Sequence, residues 1–382
     1  MSESGQRLRI ALISSSFHPY TGGVEQHVRQ VARELQRSGH DVVVWTVDRG
    51  EHLGLRDVDG VKVHYLATPL PARELRSLGR FALSLPRAAR EWWRAHRDCR
   101  PDLLHVQCFG PNGVYALVLH LLTGTPLVVT SHGETFADDH GAFEGSALLR
   151  GTLRQAISSA SLVTGPSQFV LDDLRVRFGL NGGLVVPNGV HLDEPMDEAP
   201  QLPSAPVVLG IGRVERMKGF DLLLDAMAQV SLSDVRVVIA GEGADMDNLR
   251  AQAQALRMSQ RVHFLGRLTP SGVAAAMRAA DVVVVPSRQE AFGIVALEAW
   301  RAGTPLVASS RGGMAEFITD GEDALIVDPA DQHALTEAIR RLLTDSDLAH
   351  RLSAAGCARV VDFGWEAVAA RYLDLYPVKK SA

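Results

Sequence analysis

The sequence lacks the features that mark several other classes of protein. Cysteine occurs only three times in 382 residues, as Cys99, Cys108 and Cys357, which matches neither a disulfide framework nor a metal-binding spacing. No apolar run approaches the ~18 residues that a membrane-spanning helix needs. The amino-terminal segment MSESGQRLR contains no apolar signal core. We therefore expect a cytoplasmic protein without a transmembrane segment.

A strong net charge and abundant aromatic residues are also missing. The formal net charge is −5 at pH 7, and aromatic residues make up only 6% of the chain. Proteins that bind nucleic acids usually present a basic surface interleaved with aromatic side chains on which bases stack. The sequence contains no such combination, so we expect no nucleic-acid partner.

The residues that are present indicate a globular α/β protein. Hydrophobic residues make up 46% of the chain and charged residues 22%, which is enough for a large core. Apolar runs typical of buried strands alternate with amphipathic, helix-like segments throughout. In the first half the predicted strands are Leu8–Ile13, Asp41–Thr46, Val61–Leu66, Asp102–Val106, Pro126–Thr130, Ser161–Thr164 and Gly183–Val186. In the second half they are VVLGIG, DVRVVIAG, RVHFLG, DVVVVPS, PLVASS and ALIVD.

This alternation predicts two Rossmann-like domains, each a doubly wound parallel sheet with helices on both faces, which face each other across a cleft. We expect the first domain at residues 1–190 and the second at 207–362. Residues 191–206 contain four prolines and follow neither the helix nor the strand period, so they are predicted to form a linker. The remaining residues, 363–382, are predicted to form a carboxy-terminal helix.

Charged residues near two predicted strand ends indicate an anion site. The buried strand VVVV is followed by Glu290, by a turn at Gly293 and by a helix that contains Glu298. A strand that leads through a loop into a helix brings free backbone N–H groups and the positive end of the helix dipole to one point, which suits a phosphate. Arg213 and Lys218 flank another strand-to-helix loop, the most common ligand position in open α/β sheets. Taken singly, each of these residues could be an ordinary solvated side chain.

The spacing of the two glutamates resembles the glutamate-pair motif of retaining glycosyltransferases of family 4, which have the GT-B fold. The resemblance covers nearly the whole chain and is most specific in the second half. It implies that Glu298 binds the ribose of a sugar nucleotide and that Glu290 meets hydroxyls of the transferred sugar. The donor-binding turn would comprise Phe292 and the residues whose amides hold the diphosphate, Gly293, Ile294 and Val295.

The same resemblance gives roles to the basic residues. Arg213 and Lys218 would neutralise the leaving diphosphate, because a guanidinium can bind phosphate oxygens in a bidentate manner and an ammonium acts as a point charge. Together they would replace a divalent metal, so we expect no metal and no cofactor. Asp138 and Asp139 do not suggest a metal site, since adjacent carboxylates project in different directions.

Further donor contacts are implied at other strand ends. Leu265 and Arg267, in FLGRL, would meet the nucleotide base through backbone atoms. Gly22 and Gly23 would lie beside the donor phosphate and the acceptor, although any tight turn could explain such a pair. His132 follows a buried strand and would be a catalytic-site residue close to the transferred sugar, unless it is a satisfied structural histidine. It is not assigned as a general base, because retention in the family is generally ascribed to attack on the face from which the phosphate leaves, with that phosphate accepting the proton.

In the family the last helix crosses back onto the first domain, and the resemblance implies the same for FGWEAVAARYLDLY. Three aromatic residues of this region, Trp365, Tyr372 and Tyr376, could equally be ordinary packing residues.

A basic segment from Pro71 to Arg100 departs from simple core patterning. It contains eight arginines against three acids, a charge of +5, beside leucines, a phenylalanine and the pair Trp92-Trp93. This composition predicts a basic amphipathic surface that can lie on anionic lipid at the inner membrane face. The alternative is a solvated helix face that packs by its apolar side. Peripheral membrane contact through residues 71–100 is therefore an option rather than a requirement.

With these patterns, the resemblance implies a retaining, metal-independent glycosyltransferase that moves a hexose-type sugar from a UDP- or GDP-sugar to a hydroxyl of a small-molecule, lipid or glycan acceptor. An NAD-dependent oxidoreductase is rejected, because the loop SSSFHPYTGG lacks the glycine pattern of a dinucleotide site. Two alternatives stay open: a sugar-nucleotide epimerase or hydrolase of the same fold, and a non-catalytic sugar-nucleotide-binding protein. The sequence identifies neither the sugar, nor the base, nor the acceptor.

Overall fold

The computed structural model describes residues 7–20, 22–71, 75–136, 142–195, 200–230, 232 and 234–377. The chain divides into two compact units. The first unit comprises the chain up to Pro187 and again from Trp365 onward, and the second comprises Asn188–Gly364. The described part of residues 191–206 therefore lies within the second unit.

Within the described residues, the first unit contains a sheet of eight strands. They are β1 (Arg9–Ser14), β2 (Asp41–Val47), β3 (Leu55–Val58), β4 (Val61–Leu66), β5 (Leu103–Gln107), β6 (Leu127–Thr130), β7 (Leu162–Gly165) and β8 (Leu184–Val185). Their order is β3-β4-β2-β1-β5-β6-β7-β8, and the only antiparallel pair among these described strands is β3 with β4. The order reverses between β1 and β5, where α/β sheets commonly bind ligands beyond the carboxyl ends of the strands.

The central strands of the first-unit sheet are buried on both faces. Ile10 and Leu12 of β1 pack in one hydrophobic cluster, whereas Ala11 and Ile13 pack in another, because successive residues of a strand point to opposite faces. This explains why the strands are continuous apolar runs. The helices of this part of the chain are α1 (Gly23–Arg37), α2 (Leu75–Cys99), α3 (Pro111–Thr123), α4 (Ala142–Gly145), α5 (Ala147–Ser159) and α6 (Gln168–Phe178).

The described residues of the second unit form a six-stranded sheet in which all pairs are parallel. Its strands are β9 (Val207–Ile211), β10 (Arg236–Ala240), β11 (Val262–Gly266), β12 (Val282–Val285), β13 (Leu306–Ser309) and β14 (Leu325–Val327). Its helices are α7 (Phe220–Gln229), α8 (Met246–Ala255), α9 (Pro270–Ala279), α10 (Ile294–Ala302), α11 (Met314–Phe317), α12 (Gln332–Thr344) and α13 (Ser346–Arg359). The strand order is β11-β10-β9-β12-β13-β14, which reverses between β9 and β12. Both units thus confirm the predicted doubly wound α/β class.

The carboxy-terminal helix, α14 (Trp365–Leu375), belongs to the first unit and packs on α1. Trp365, Val368 and Tyr372 are buried in the cluster that contains Val28 and Leu35 of α1. A helix that closes a hydrophobic face of the sheet in this way contributes to the core of that unit.

The edge strand β3 was missed in the sequence analysis. Its four residues, LRDV, are mostly exposed and include an arginine and an aspartate, so they form no apolar run. The signal that could have revealed it is the turn Asp59-Gly60, in which both residues have positive φ, at 53° and 82°. An Asp-Gly pair between two extended segments is typical of a tight β-hairpin.

Candidate functional site

In the second unit, the loops after β9 and β12 are held together at the point where the strand order reverses. Gly219 has φ 69°, and a Cβ atom there would lie 2.1 Å from the carbonyl oxygen of Pro286, so only glycine permits this approach. The guanidinium of Arg288 donates two hydrogen bonds to the carboxylate of Asp221, both at 2.6 Å. Its backbone N–H also donates to the carbonyl oxygen of Met217 at 2.8 Å. This clamp, which was not predicted from the sequence, fixes one loop against the other.

The clamped loops bring Lys218 and Glu290 together. The Nζ atom of Lys218 lies 2.7 Å from Oε2 of Glu290, and the hydroxyl of Ser287 donates to the same oxygen at 3.2 Å. The two charged side chains are only 22% and 14% exposed. A pair so shielded interacts more strongly than a surface pair, and separating it leaves a poorly solvated charge on each side.

Helix α10 begins next to this pair. Its N-cap is Gly293, which has φ 96° and supplies no side-chain oxygen to cap the helix. A Cβ atom there would lie 2.4 Å from Cγ of Met314, so close packing and the left-handed backbone both require glycine. The first residues of the helix are Ile294 and Val295. Their amides belong to the first helical turn, whose N–H groups have no partner within the helix and attract anions.

Glu298 lies one turn further along α10 and is partly buried. Burial raises the pKa of its carboxyl group to about 7; the nearby Arg301 lowers that pKa and Glu194 raises it. The ring of Phe292, in contrast, is 3% exposed and stacks on Phe317 with ring centroids 4.7 Å apart. The structure thus places the Phe292 side chain in the hydrophobic core rather than at the strand ends.

The remaining predicted residues of this unit follow neighbouring strands. Arg213 comes after β9, is largely exposed, and donates to Glu215 at 2.7 Å. Leu265 lies in β11 and is partly exposed, and Arg267 follows that strand and is exposed. Because β9, β11 and β12 run parallel in one sheet, these residues lie at the same edge as Lys218.

Three predicted residues belong to the first unit. Gly22 is the N-cap of α1 in extended backbone, which any residue can adopt, and Gly23 is the first residue of that helix. His132 follows β6; its Nε2 atom lies 2.8 Å from Oε1 of Gln107, and its backbone N–H donates to Glu134 at 2.7 Å. Burial lowers the pKa of His132 to about 4, so its imidazole is neutral at pH 7.

Comparison with known proteins identifies the family. Residues 195–359 match the family described as Glycosyl transferases group 1, and residues 21–194 match Glycosyltransferase Family 4. The phosphatidyl-myo-inositol mannosyltransferase of Mycobacterium tuberculosis is 32% identical over 97% of this chain and 96% of its own. The chain belongs to glycosyltransferase family 4.

Another relative and two solved structures are also similar to this chain over nearly its whole length. A glycogen synthase of Mycobacterium tuberculosis is 30% identical to this glycosyltransferase over 98% of this chain and 95% of its own. The structure of sucrose-phosphate synthase from Thermosynechococcus elongatus superposes with a TM-score of 0.79 at 27% identity and covers 96% of this chain and 98% of its own. The structure of Anabaena HepE in complex with UDP has a TM-score of 0.74 at 22% identity, over 96% of this chain and 98% of its own. The fold is therefore GT-B.

An apolar cavity of about 560 Å³ lies in the first unit of the glycosyltransferase. Among the side chains that line it are Phe81 and Trp93 of α2 and Val118 and Leu122 of α3. Leu122 is 69% exposed and Trp93 is 49% exposed, so the cavity opens onto an apolar surface. Exposed apolar patches of this kind mark binding surfaces more often than chance.

One part of the predicted basic surface needs correction. Trp92 is 1% exposed, donates its indole N–H to the carbonyl oxygen of Ala67 at 3.0 Å, and stacks on Tyr115. It is a core residue, because helix α2 turns Trp92 inward and Trp93 outward. The prediction of a surface formed by both tryptophans is wrong for Trp92.

Across the described ranges of the glycosyltransferase, no group of three or more His, Cys, Asp or Glu side chains is arranged to hold a metal ion. Asp138 and Asp139 lie outside the described residues. No helix in the described part of the chain is long and apolar enough to cross a membrane.

Proposed function

We propose that the protein is a metal-independent, retaining glycosyltransferase that moves a hexose from a UDP- or GDP-sugar to a hydroxyl group of a lipid acceptor. The observation that carries this proposal is the shielded pair of Lys218 and Glu290 beside the start of α10, at the reversal point of the second sheet. One cation, one carboxylate and a row of helix amides match a molecule that is anionic at its diphosphate and rich in hydroxyls at its sugar.

In this proposal, the positive groups stabilise the charge that develops on the leaving diphosphate. The amides of Ile294 and Val295 and the ammonium of Lys218 are fixed in place by Gly293 and by the Arg288 clamp, so little reorganisation is needed during the reaction. Arg213 is exposed and adds a guanidinium that can close on the phosphate oxygens. Glu290 binds hydroxyls of the sugar and Glu298 binds the ribose.

The lipid acceptor is proposed from the first unit. The apolar cavity bordered by α2 and α3 suits an acyl chain. Arg90 and Arg94, which are exposed on α2, suit an anionic headgroup or an anionic bilayer. A relative is named for a phosphatidyl-myo-inositol acceptor, and a structure of the same fold was solved in complex with UDP. These names support the choice of a lipid acceptor and of a uridine nucleotide as the first donor to test.

A thermal-shift panel of UDP-, GDP- and ADP-sugars tests the donor. A ligand present at 100 times its dissociation constant stabilises the folded state by ~2.7 kcal/mol, so the correct base should stand out. The selected donor is then incubated with phospholipid acceptors, with and without EDTA, and the product is analysed by NMR. We expect turnover to survive EDTA and the product to keep the anomeric configuration of the donor.

Other outcomes of this experiment separate the alternatives. Activity that is lost in EDTA and restored by Mn²⁺, or an inverted product, would contradict the mechanism. An altered sugar or free sugar formed without acceptor would favour an epimerase or hydrolase. Donor binding without any turnover on the acceptors tried would favour a binding protein.

Substitution of the two cations tests the charge stabilisation. Lys218→Ala and Arg213→Ala should each lower kcat by ~10² or more at saturating donor, because a group that stabilises the charge developing in the transition state acts on kcat. Matched controls are Lys62→Ala on β4 and Arg340→Ala on α12, which lie elsewhere on the chain. Wild-type turnover in both site variants would refute the assignment.

A further inference from the structure

A chain of buried polar side chains connects His132 to the carboxy-terminal end of the protein. Gln107 and His105 lie two residues apart on β5 and therefore on the same face of the sheet. Tyr376 follows α14. His105 and Gln107 are 0% exposed and Tyr376 is 6% exposed. Burial of so many polar groups is costly unless their hydrogen bonds are made.

The contacts lead from His132 through Gln107 and His105 to Tyr376. The Nε2 atom of His132 lies 2.8 Å from the amide oxygen of Gln107, and the amide nitrogen of Gln107 lies 3.0 Å from Nε2 of His105. The Nδ1 atom of His105 lies 2.9 Å from the hydroxyl of Tyr376. Burial lowers the pKa of His105 to about 3, with a smaller contribution from His132, and lowers the pKa of His132 to about 4. Both rings are therefore neutral at pH 7, each with one donor and one acceptor nitrogen.

The chemistry of the amide then decides which nitrogen carries the proton. An amide oxygen can only accept, so Nε2 of His132 must donate to Gln107. An amide NH₂ group can only donate, so Nε2 of His105 must accept and its Nδ1–H must donate to Tyr376. The hydroxyl of Thr130 lies 2.7 Å from the same Nε2 atom of His105, so it shares the single lone pair of that nitrogen with the Gln107 amide. The only nitrogen of His132 left to accept a hydrogen bond is Nδ1.

The ring of His132 is held from a second side. The imidazole of His27, on α1, makes an edge-to-face contact with it at a centroid distance of 4.7 Å. His27 in turn lies 3.2 Å from the hydroxyl of Tyr372 on α14. The carboxy-terminal segment thus supports the imidazole through two tyrosines, Tyr372 in α14 and Tyr376 directly after it.

We propose that Gln107 is a positioning residue that fixes His132 as the Nε2–H tautomer. Tyr376 holds His105 at the other end of this row of side chains. Nδ1 of His132 is then the atom that accepts a hydrogen bond from a hydroxyl of the bound sugar. The last step of this inference rests on the proposed function, whereas the tautomer itself does not. Gln107 and Tyr376 are both buried, so in this proposal each acts through His132.

The tautomer is measured by NMR on protein labelled with ¹⁵N at histidine, with the His132 signals assigned from a His132→Gln variant. We expect wild-type His132 to be protonated at Nε2. Gln107→Leu removes the acceptor, so the Nδ1–H form should become populated. Gln107→Glu keeps an oxygen in the same place and should restore the Nε2–H form. A wild-type spectrum with the proton on Nδ1, or a Leu variant with an unchanged spectrum, would overturn the proposal.

Steady-state kinetics tests the functional step. Gln107→Leu should lower kcat about tenfold, the equivalent of one neutral hydrogen bond to the reacting sugar, with little change in the KM for donor. Tyr376→Phe should shift the His132 signals in the same direction as Gln107→Leu. The matched control Tyr115→Phe also removes one hydroxyl, which donates to the carbonyl oxygen of Pro69 at 2.8 Å in the same unit, and should leave the His132 signals unchanged.

The two kinds of failure can be told apart. If the tautomer behaves as expected but Gln107→Leu turns over at the wild-type rate, Gln107 does not act on catalysis and the proposal falls. If the wild type transfers no sugar at all, the proposed function fails, while the NMR result still decides whether Gln107 sets the tautomer. Equal changes in the Tyr376→Phe and Tyr115→Phe spectra would show a general structural effect and would also overturn the proposal.

Discussion

The two glutamates of the motif have different surroundings, and these surroundings predict different roles. Glu290 is paired with Lys218 and also receives a hydrogen bond from Ser287. Glu298 lies within α10, where burial raises its pKa to about 7. A carboxylate fixed by such contacts is positioned to accept hydrogen bonds from sugar hydroxyls. The carboxyl group of Glu298 changes its protonation state close to neutral pH.

Loss of each glutamate should therefore affect a different step. Glu298→Ala should raise the dissociation constant of the free nucleoside diphosphate by the equivalent of ~1.5–3 kcal/mol, the range for a hydrogen bond to a charged group. Glu290→Ala should leave that constant unchanged or tighten it, because Lys218 is released toward the diphosphate, and should lower kcat. Isothermal titration beside steady-state kinetics measures both. Equal losses of nucleotide affinity would mean that the donor lies elsewhere.

The raised pKa of Glu298 predicts a pH dependence of donor binding. Below pH 7 the carboxyl group is protonated, and it must lose its proton to accept hydrogen bonds from both ribose hydroxyls. Binding of the nucleotide sugar should therefore tighten as the pH rises from 6 to 8, and it should release a proton at pH 6.5. Calorimetry in two buffers of different ionisation enthalpy counts that proton. The Glu298→Gln variant, which has nothing to titrate, should release none; proton release that persists in it would assign the effect to another group.

At the scale of single elements, helix α2 has a side that packs in the core and a side that presents arginines. Its inner side supplies Trp92 and Ala95 to the core of the first unit, and Trp92 also lines the apolar cavity, whereas its outer side presents arginines. Pro86 lies inside the helix, which removes one backbone donor and tends to bend it. The helix is therefore anchored by its core side while its basic side stays available.

Vesicle binding tests the outer side of α2. Replacement of Arg80, Arg90 and Arg94 by Gln should weaken binding to anionic phosphatidylglycerol vesicles by roughly 100-fold, since each basic residue near such a surface contributes ~1 kcal/mol. Turnover on a water-soluble acceptor should stay near that of the wild type. A control that replaces Arg340, Arg341 and Arg351 on α12 and α13 removes the same charge from the second unit. Equal losses of vesicle affinity in the two triple variants would show that only the net charge of the protein matters. If the wild type does not bind the vesicles at low ionic strength, the membrane contact is refuted.

For the whole molecule, hydrophobic pattern alone predicted most of the architecture. All strands predicted in the two halves are present. Most of them are buried parallel strands, whose sequences are continuous apolar runs. The edge strand β3 escaped because it is exposed and polar. The inward turn of Trp92 escaped because a pair of adjacent tryptophans does not reveal which of them faces the core.

The features of the site that the sequence did not predict are contacts between residues far apart in the chain. The donor loops were located from local strand-to-helix patterns around Lys218 and Glu290. The clamp of Arg288 on Asp221 joins residues 67 positions apart, and the contact of His105 with Tyr376 joins residues 271 positions apart. Neither partner in these pairs has a local signature. Such contacts follow only from the strand order, which brings the ends of separate elements to one edge.

The buried histidines of the first unit predict how the protein responds to acid. The pKa values of His105 and His132 are lowered to about 3 and about 4 by burial, so neither ring binds a proton in the folded state at pH 5. In the unfolded chain both bind protons below about pH 6.5. Their contribution to stability is therefore fully present above pH 6.5 and is lost as the pH falls toward the folded-state values. At pH 5 the loss is about 2 kcal/mol for each histidine, or about 4 kcal/mol for both.

Urea unfolding at pH 7 and pH 5, followed by tryptophan fluorescence, measures this loss, since Trp45, Trp92 and Trp365 are buried in the first unit. We expect the His105→Gln variant to lose about 2 kcal/mol of the difference between the two pH values, because glutamine does not titrate. The control His52→Gln replaces a histidine whose side chain is 77% exposed and should keep the full difference. If His105→Gln retains the wild-type pH dependence, the acid sensitivity belongs to other groups. That result would contradict the lowered pKa of His105.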